Sequence, residues 1–196
     1  LGVNRMINAL SKFGIGDTTG IDLQGEVFSS LRPENNWYEV DLATTGFGQG
    51  ISVTPIELLS AIAAIANDGK RMEPHVVKAV ENPDGSIVEI QPKVLALPIS
   101  PVTAKVMSEI MVNAVNKGEA SWTRIKGYRI AGKTGTASIP IRGHYDPSQT
   151  IASFVGFAPS TNAKFVMIVI LNRPTTSIYG AETAAPIFFD IAKSLL

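Results

Sequence analysis

The 196-residue chain contains no cysteine. Disulfides, thiolate zinc sites, iron–sulfur clusters and a cysteine nucleophile are therefore excluded. Histidine is scarce as well: His75 and His144 lie far apart, with no partner histidine three or four residues away. A histidine-based metal site is not expected, and both read as surface residues. Charge of one sign is not in surplus, since 17 Lys+Arg balance 17 Asp+Glu. Charged residues make up 17% of the chain, below the roughly 25% of an average domain, so no nucleic-acid partner is expected. The longest purely apolar run, Phe165 to Leu171, falls far short of the roughly 18 residues of a membrane span.

What is present reads as one globular domain, with 45% hydrophobic residues and no internal repeat or low-complexity stretch. Val3, Met6, Ile7, Leu10 and Phe13 recur at helical spacing, so Leu1 to Phe13 is expected to end an amphipathic helix, stopped at Gly14. Leu1 is not methionine and nothing before Val3 resembles a cap or a signal peptide, so the chain is expected to begin inside a larger protein. From Gly25 to Gly50 no steady period holds, and irregular structure is expected there. Thr54-Pro55-Ile56-Glu57 then places Thr at N-cap, Pro at N1 and Glu at N3, a capping box opening a helix that stops at Asn67-Asp68-Gly69. Ser60 is its one polar interruption from Leu58 to Ala66, so the helix should be buried.

His75 to Val80 and Ser86 to Ile90 flank Asn82-Pro83-Asp84-Gly85, which predicts a β-hairpin. Ser100-Pro101 opens another helix, with Val102, Val106, Ile110, Met111 and Ala114 on its expected inward face. Strands are predicted over Tyr128–Thr136, Ile151–Phe157 and Lys164–Leu171, the last two joined by the short Pro159-Ser160-Thr161-Asn162 turn that favours antiparallel pairing. Thr183 to Leu196 predicts a closing helix. The fold class expected is α+β, an antiparallel sheet flanked by helices.

The segment that carries chemistry begins as an ambiguity. Gly127-Tyr128-Arg129-Ile130-Ala131-Gly132-Lys133-Thr134 matches the phosphate-loop pattern G-x-x-x-x-G-K-[ST]. That pattern needs a helix to follow, whose N-terminal N–H groups hold the phosphates. Here Tyr128 to Ala131 is strand-like, and Gly135, Pro140, Gly143 and Pro147 forbid the helix. A nucleotide-binding protein is thus the weakest alternative. The same lysine opens Lys133-Thr134-Gly135-Thr136 on a predicted strand, where an ammonium and two hydroxyls can hold a carboxylate and a backbone N–H can stabilise an oxyanion. K-T-G is one of three signatures of serine acyl-transfer enzymes, beside S-x-x-K and S-x-N. Taken alone, Thr134 and Thr136 also read as ordinary β-formers.

The resemblance extends along the chain. Gly127 to Ala137, Gly20-Ile21-Asp22-Leu23 with Gly25-Glu26, Gly48-Gln49-Gly50 with Val53-Thr54-Pro55, Phe154 to Pro159, and Tyr179-Gly180-Ala181 to Pro186 resemble segments of the class B penicillin-binding transpeptidases, in the same order. The resemblance implies a peptidoglycan D,D-transpeptidase. In that family a serine attacks the penultimate D-alanyl carbonyl of a stem peptide ending in D-Ala-D-Ala, D-alanine leaves, and the acyl group passes to an amine of a neighbouring strand; β-lactams acylate the same serine. It implies Lys133 near the S-x-N serine, Thr134 and Thr136 on the substrate carboxylate, the Thr136 N–H in the oxyanion hole, and Gly135 leaving room for substrate. It implies no metal or other cofactor, a place on the extracytoplasmic face of the bacterial inner membrane, and partners in membrane-anchored cell-wall synthesis machinery.

The nucleophile of that family is missing. No serine has lysine three residues on, and the single S-x-N, Ser160-Thr161-Asn162, follows the K-T-G-T run and reads as a turn. Residues 1–196 are therefore expected to form the C-terminal part of one transpeptidase domain, with S-x-x-K and S-x-N upstream, and to be inactive alone. Ser138 also stands where the family commonly has glutamine. A non-catalytic β-lactam sensor or pseudoenzyme of the same fold is the alternative, and a carboxypeptidase or β-lactamase would use the same strand. His144 and Tyr145 are expected in a loop that either lines the cleft or is plain surface.

Overall fold

The structure, a computed structural model, describes residues 2–141 and 144–196. Leu1 and Gly143 lie outside the described residues. The architecture is the expected α+β: a three-stranded antiparallel sheet in the order β5-β6-β7, formed by Ala131–Ile141, His144–Ala158 and Phe165–Asn172, flanked by helices.

Before the sheet come helices α1 (Val3–Lys12), α2 (Glu39–Gly46), α3 (Pro55–Ala66) and α4 (Pro101–Lys117), and four short strands, β1 (Arg71–Met72), β2 (Ala79–Glu81), β3 (Ile87–Glu89) and β4 (Val94–Ala96). Helix α5 (Ala184–Leu195) closes the chain. The hairpin β2–β3 pairs Val80 with Val88 across the expected turn, and β4 returns to pair antiparallel with β1. The β1–β4 ribbon escapes a pattern reading because strands of two and three residues hold no period.

Strand β6 is central, and its pleat sends alternate residues to opposite sides. On one side Phe154 meets Phe188 and Phe189 of α5, ring centroids 4.6 and 5.3 Å away. On the other, Phe157 packs with Met111 and Val112 of α4 and with Ile62 and Ile65 of α3. All three phenylalanines of the first cluster are almost fully buried. The glycines follow from this layering: a Cβ on Gly156 would come 2.5 Å from the Ala131 carbonyl oxygen, so no side chain fits there.

Three sequence expectations are corrected. Helix α4 opens at Ser100 as expected, with its Oγ accepting from the Thr103 N–H at 3.1 Å. Its buried face, however, is Ala104, Ser108, Met111, Val112 and Val115, while Val102, Val106 and Ile110 are exposed. The helix carries apolar residues on two faces, and the small Ala104 and Ser108 allow the closer approach. The Ser108 hydroxyl donates to the Ala104 carbonyl at 2.9 Å, which lets a serine be buried. Within the stretch read as irregular, residues 39–46 form α2; it is short, and Thr44, Thr45 and Gly46 are poor helix formers that hid it. Finally, β6 begins at His144, so His144 and Tyr145 are strand residues pairing with Ile141 and Pro140, and Tyr145 is exposed.

The capping box of α3 is present and does more than cap. The Thr54 Oγ accepts from the Glu57 N–H at 3.3 Å, and a Glu57 carboxylate oxygen accepts from the Thr54 N–H at 2.6 Å. The second oxygen accepts from the Gly16 N–H at 2.9 Å, so one buried carboxylate ties the loop after α1 to the start of α3. No residue from Ile56 to Ala66 is exposed, and Ser60 turns inward. Among the described residues no helix is long and apolar enough to cross a membrane.

Candidate active site

Residues 127–134 do not build a phosphate loop. The run leads into β5, which starts at Ala131 and continues to Ile141, so no helix N-terminus follows Lys133. The strand begins three residues later than expected and runs five further, through Pro140, because β6 supplies an antiparallel partner along its whole length.

Strand β5 pairs on one side only, with β6, which leaves its other edge without a strand among the described residues. Alternation places Lys133 and Gly135 toward one face and Thr134 and Thr136 toward the other. The lysine stem is long enough to return to the strand: Nζ donates to the Thr134 carbonyl oxygen at 2.9 Å and to the Thr134 Oγ1 at 3.1 Å. An exposed ammonium and an adjacent hydroxyl are thus held together at the edge of the sheet. Thr136, also exposed, receives a hydrogen bond at its Oγ1 from the Gly180 N–H, 3.1 Å away.

That contact brings in a segment to which motif reading gave no role. Residues 177–183 lead into α5 and are fastened to the sheet: the Thr150 Oγ1 donates to the Ile178 carbonyl at 2.6 Å, and the Thr183 Oγ1 to the Tyr179 carbonyl at 2.7 Å. A Cβ on Gly180 would lie 2.3 Å from the Gly135 carbonyl oxygen and 2.5 Å from that of Ser153. A Cβ on Gly135 would lie 2.4 Å from the Ser153 Oγ. Gly180 therefore lets the segment lie flat against β5 and β6, with Tyr179 exposed next to the Thr136 contact. The sequence signal was the Tyr-Gly-Ala triplet; what it touches could not be read from it.

Ser160, the serine of the stray S-x-N, is buried in the β6–β7 turn. Its N–H donates to the Arg129 carbonyl at 2.8 Å and its Oγ accepts from the Arg129 Nε at 3.4 Å, while Asn162 adopts a left-handed φ of 53°. It is a turn residue. His75 is exposed, with Nδ1 2.8 Å from the Val77 carbonyl.

Asp22 and Glu26, two acids of the glycine-rich segment, take structural posts. Asp22 accepts from the N–H groups of Val76 and Val77 at 2.8 and 2.9 Å, which hold its carboxyl below the usual aspartate range. Burial works against ionisation of Glu26, but hydrogen bonds from the Thr19 hydroxyl, the Thr19 N–H and the Gly20 N–H outweigh it and lower its pKa.

The Lys-Thr-Gly-Thr run thus lies on a one-sided strand edge, braced by a glycine-tight segment before the last helix, and has none of the helix N-terminus that a nucleotide site needs. Residues 1–193 match the family model described as the penicillin binding protein transpeptidase domain, and the chain belongs to that family. It is 36% identical to stage V sporulation protein D of Bacillus subtilis over 199 residues, covering 100% of this chain and 31% of that protein. It is 33% identical to the peptidoglycan D,D-transpeptidase FtsI of Buchnera aphidicola subsp. Baizongia pistaciae, covering 99% of this chain and 33% of that one. The chain thus spans about a third of the length of the curated relatives it matches. Penicillin-binding protein 3 of Mycobacterium tuberculosis superposes with a TM-score of 0.91 at 33% identity, covering 99% of this chain and 46% of that one. Its complexes with aztreonam and with ampicillin superpose equally well.

Proposed function

We propose that the protein carrying these residues is a peptidoglycan D,D-transpeptidase that works through an acyl-serine. The observation that carries the reading is the Lys133–Thr134–Gly135–Thr136 run on a one-sided strand edge, with the ammonium held against the Thr134 hydroxyl. Lys133, Thr134 and Thr136 bind the terminal carboxylate of a D-Ala-D-Ala stem peptide, and the Thr136 N–H supports the oxyanion as the serine attacks the penultimate carbonyl. Lys133 lies by the S-x-N serine and aids proton traffic. D-Alanine leaves, and an amine of a second stem peptide takes the acyl group. β-Lactams acylate the same serine.

No S-x-x-K occurs in the 196 residues, so the nucleophile belongs to another segment, and residues 1–196 form the C-terminal part of the domain. The protein acts at the extracytoplasmic face of the inner membrane beside membrane-anchored cell-wall machinery, a reading that agrees with the peptidoglycan activity in one relative's name.

Labelling with a fluorescent penicillin tests this. The complete protein should acylate, the 196-residue chain alone should not, and Lys133→Ala in the complete protein should slow acylation about 10²-fold or more, the scale of losing one charge-stabilising group. Acylation without any stem-peptide turnover would favour a β-lactam sensor instead.

A further inference from the structure

Beside Lys133 and Thr134, where β5 meets the end of α4, lies a cavity of about 250 Å³. Ala114, Gly118 and Ala120 form one wall, and Gly132 and the Phe154 ring form the other. Side chains cannot close it at the glycines: a Cβ on Gly118 would lie 2.2 Å from the Ala114 carbonyl oxygen, and one on Gly132 would lie 2.6 Å from the Phe154 ring. Glu119, exposed, is the one acid among the lining residues. The volume falls below the roughly 300 Å³ at which pockets begin to enclose a drug-sized ligand, so the space suits a substituent and not a whole molecule.

We infer that this cavity is a subsite for the group a ligand carries on the atom adjacent to its carboxylate-bearing carbon, and that Glu119 makes it favour a cationic group over an uncharged one. The inference rests on the carboxylate binding at Lys133 and Thr134. Thr134 itself lines the cavity, so a group carried on the atom beside the carboxylate-bearing carbon has a short path into it. With the Lys133 ammonium engaged by the carboxylate, the remaining charge among the described lining residues is that of Glu119. The alanine and glycine walls give apolar contact without occupying the space.

The test uses the complete protein and three cephalosporins that share one acylamino side chain and carry methyl, acetoxymethyl or pyridiniomethyl at position 3. Acylation rates are normalised to each variant's own rate with benzylpenicillin. Glu119→Gln should lower the pyridiniomethyl-to-acetoxymethyl ratio about threefold, as expected for removing one partly screened charge. Ala114→Leu should slow the two longer substituents about tenfold relative to methyl, the scale of overfilling a packed site. Ratios unchanged in both variants, with benzylpenicillin still acylating, would overturn the subsite alone. Failure of benzylpenicillin to acylate the unmodified protein would overturn the transpeptidase reading and the subsite with it.

Discussion

The two halves of this chain are held together by different physics. From Ala131 to Leu195 the sheet and α5 share a packed core in which Phe154, Phe188 and Phe189 meet within 5.4 Å of one another. From Gly14 to Ala96, α3 joins the core through Ile62 and Ile65, but the strands have two or three residues and carboxylates hold the connecting backbone in place: Glu57 on Gly16 and Thr54, Glu26 on Thr19 and Gly20, Asp22 on Val76 and Val77. Apolar burial is non-directional and indifferent to pH, whereas a carboxylate gripping N–H groups is directional, and at Asp22 and Glu26 those bonds favour the charged form. The proposed site belongs to the first half, where a rigid sheet fixes Lys133 to Thr136.

Four perturbations sharpen that contrast. Phe188→Ala opens the aromatic cluster and should cost about 3–5 kcal/mol in denaturant unfolding, as for other buried aromatics. A cost below about 1 kcal/mol would show that the cluster relaxes freely and that the sheet half is not core-dominated. Next in size, Glu57→Ala strips the acceptor from two N–H groups and should cost about 2–3 kcal/mol. Its amide-exchange signature should centre on Gly16 and Thr54; an even loss across β6 would contradict a local clamp. Thr54→Ala removes only the cap oxygen and should cost about 1 kcal/mol.

Acid should produce the smallest and most selective effect. Asp22 and Glu26 have folded pKa values lowered from their ordinary values, so the folded state favours their charged forms. Their contribution is complete above the unfolded range of about 3.9 to 4.3 and is lost as pH falls through the lower folded values. Exchange protection at Val76, Val77, Thr19 and Gly20, corrected for intrinsic rates, should therefore drop before that of β6 as pH is lowered toward 3. Simultaneous loss in both halves would remove the distinction.

Much of the sheet half was legible because its signals are local. The all-apolar run Phe165–Leu171 became β7, Ser160-Thr161-Asn162 became the turn before it, and residues 184–195 became α5. The capping box at Thr54–Glu57 could be read to the atom, since an N-cap and an N3 side chain meet wherever a helix starts. The errors arose where local signals were absent or doubled. α2 and the β1–β4 ribbon are too short for a period, and α4 offered two apolar faces between which only its neighbours could choose.

Composition and spacing alone determined the α+β class, the absence of thiol chemistry and the Lys-Thr-Gly-Thr strand, because each depends on residue identity or on repeats of two and 3.6 along one segment. Tertiary structure decided that Gly180 bonds to Thr136, that Glu57 reaches Gly16, and that Ala114, Glu119 and Phe154 enclose a cavity beside Lys133. The reason is distance along the chain: Gly180 and Thr136 lie 44 residues apart, Glu57 and Gly16 lie 41 apart, and no local pattern records which remote backbone will arrive beside a given side chain.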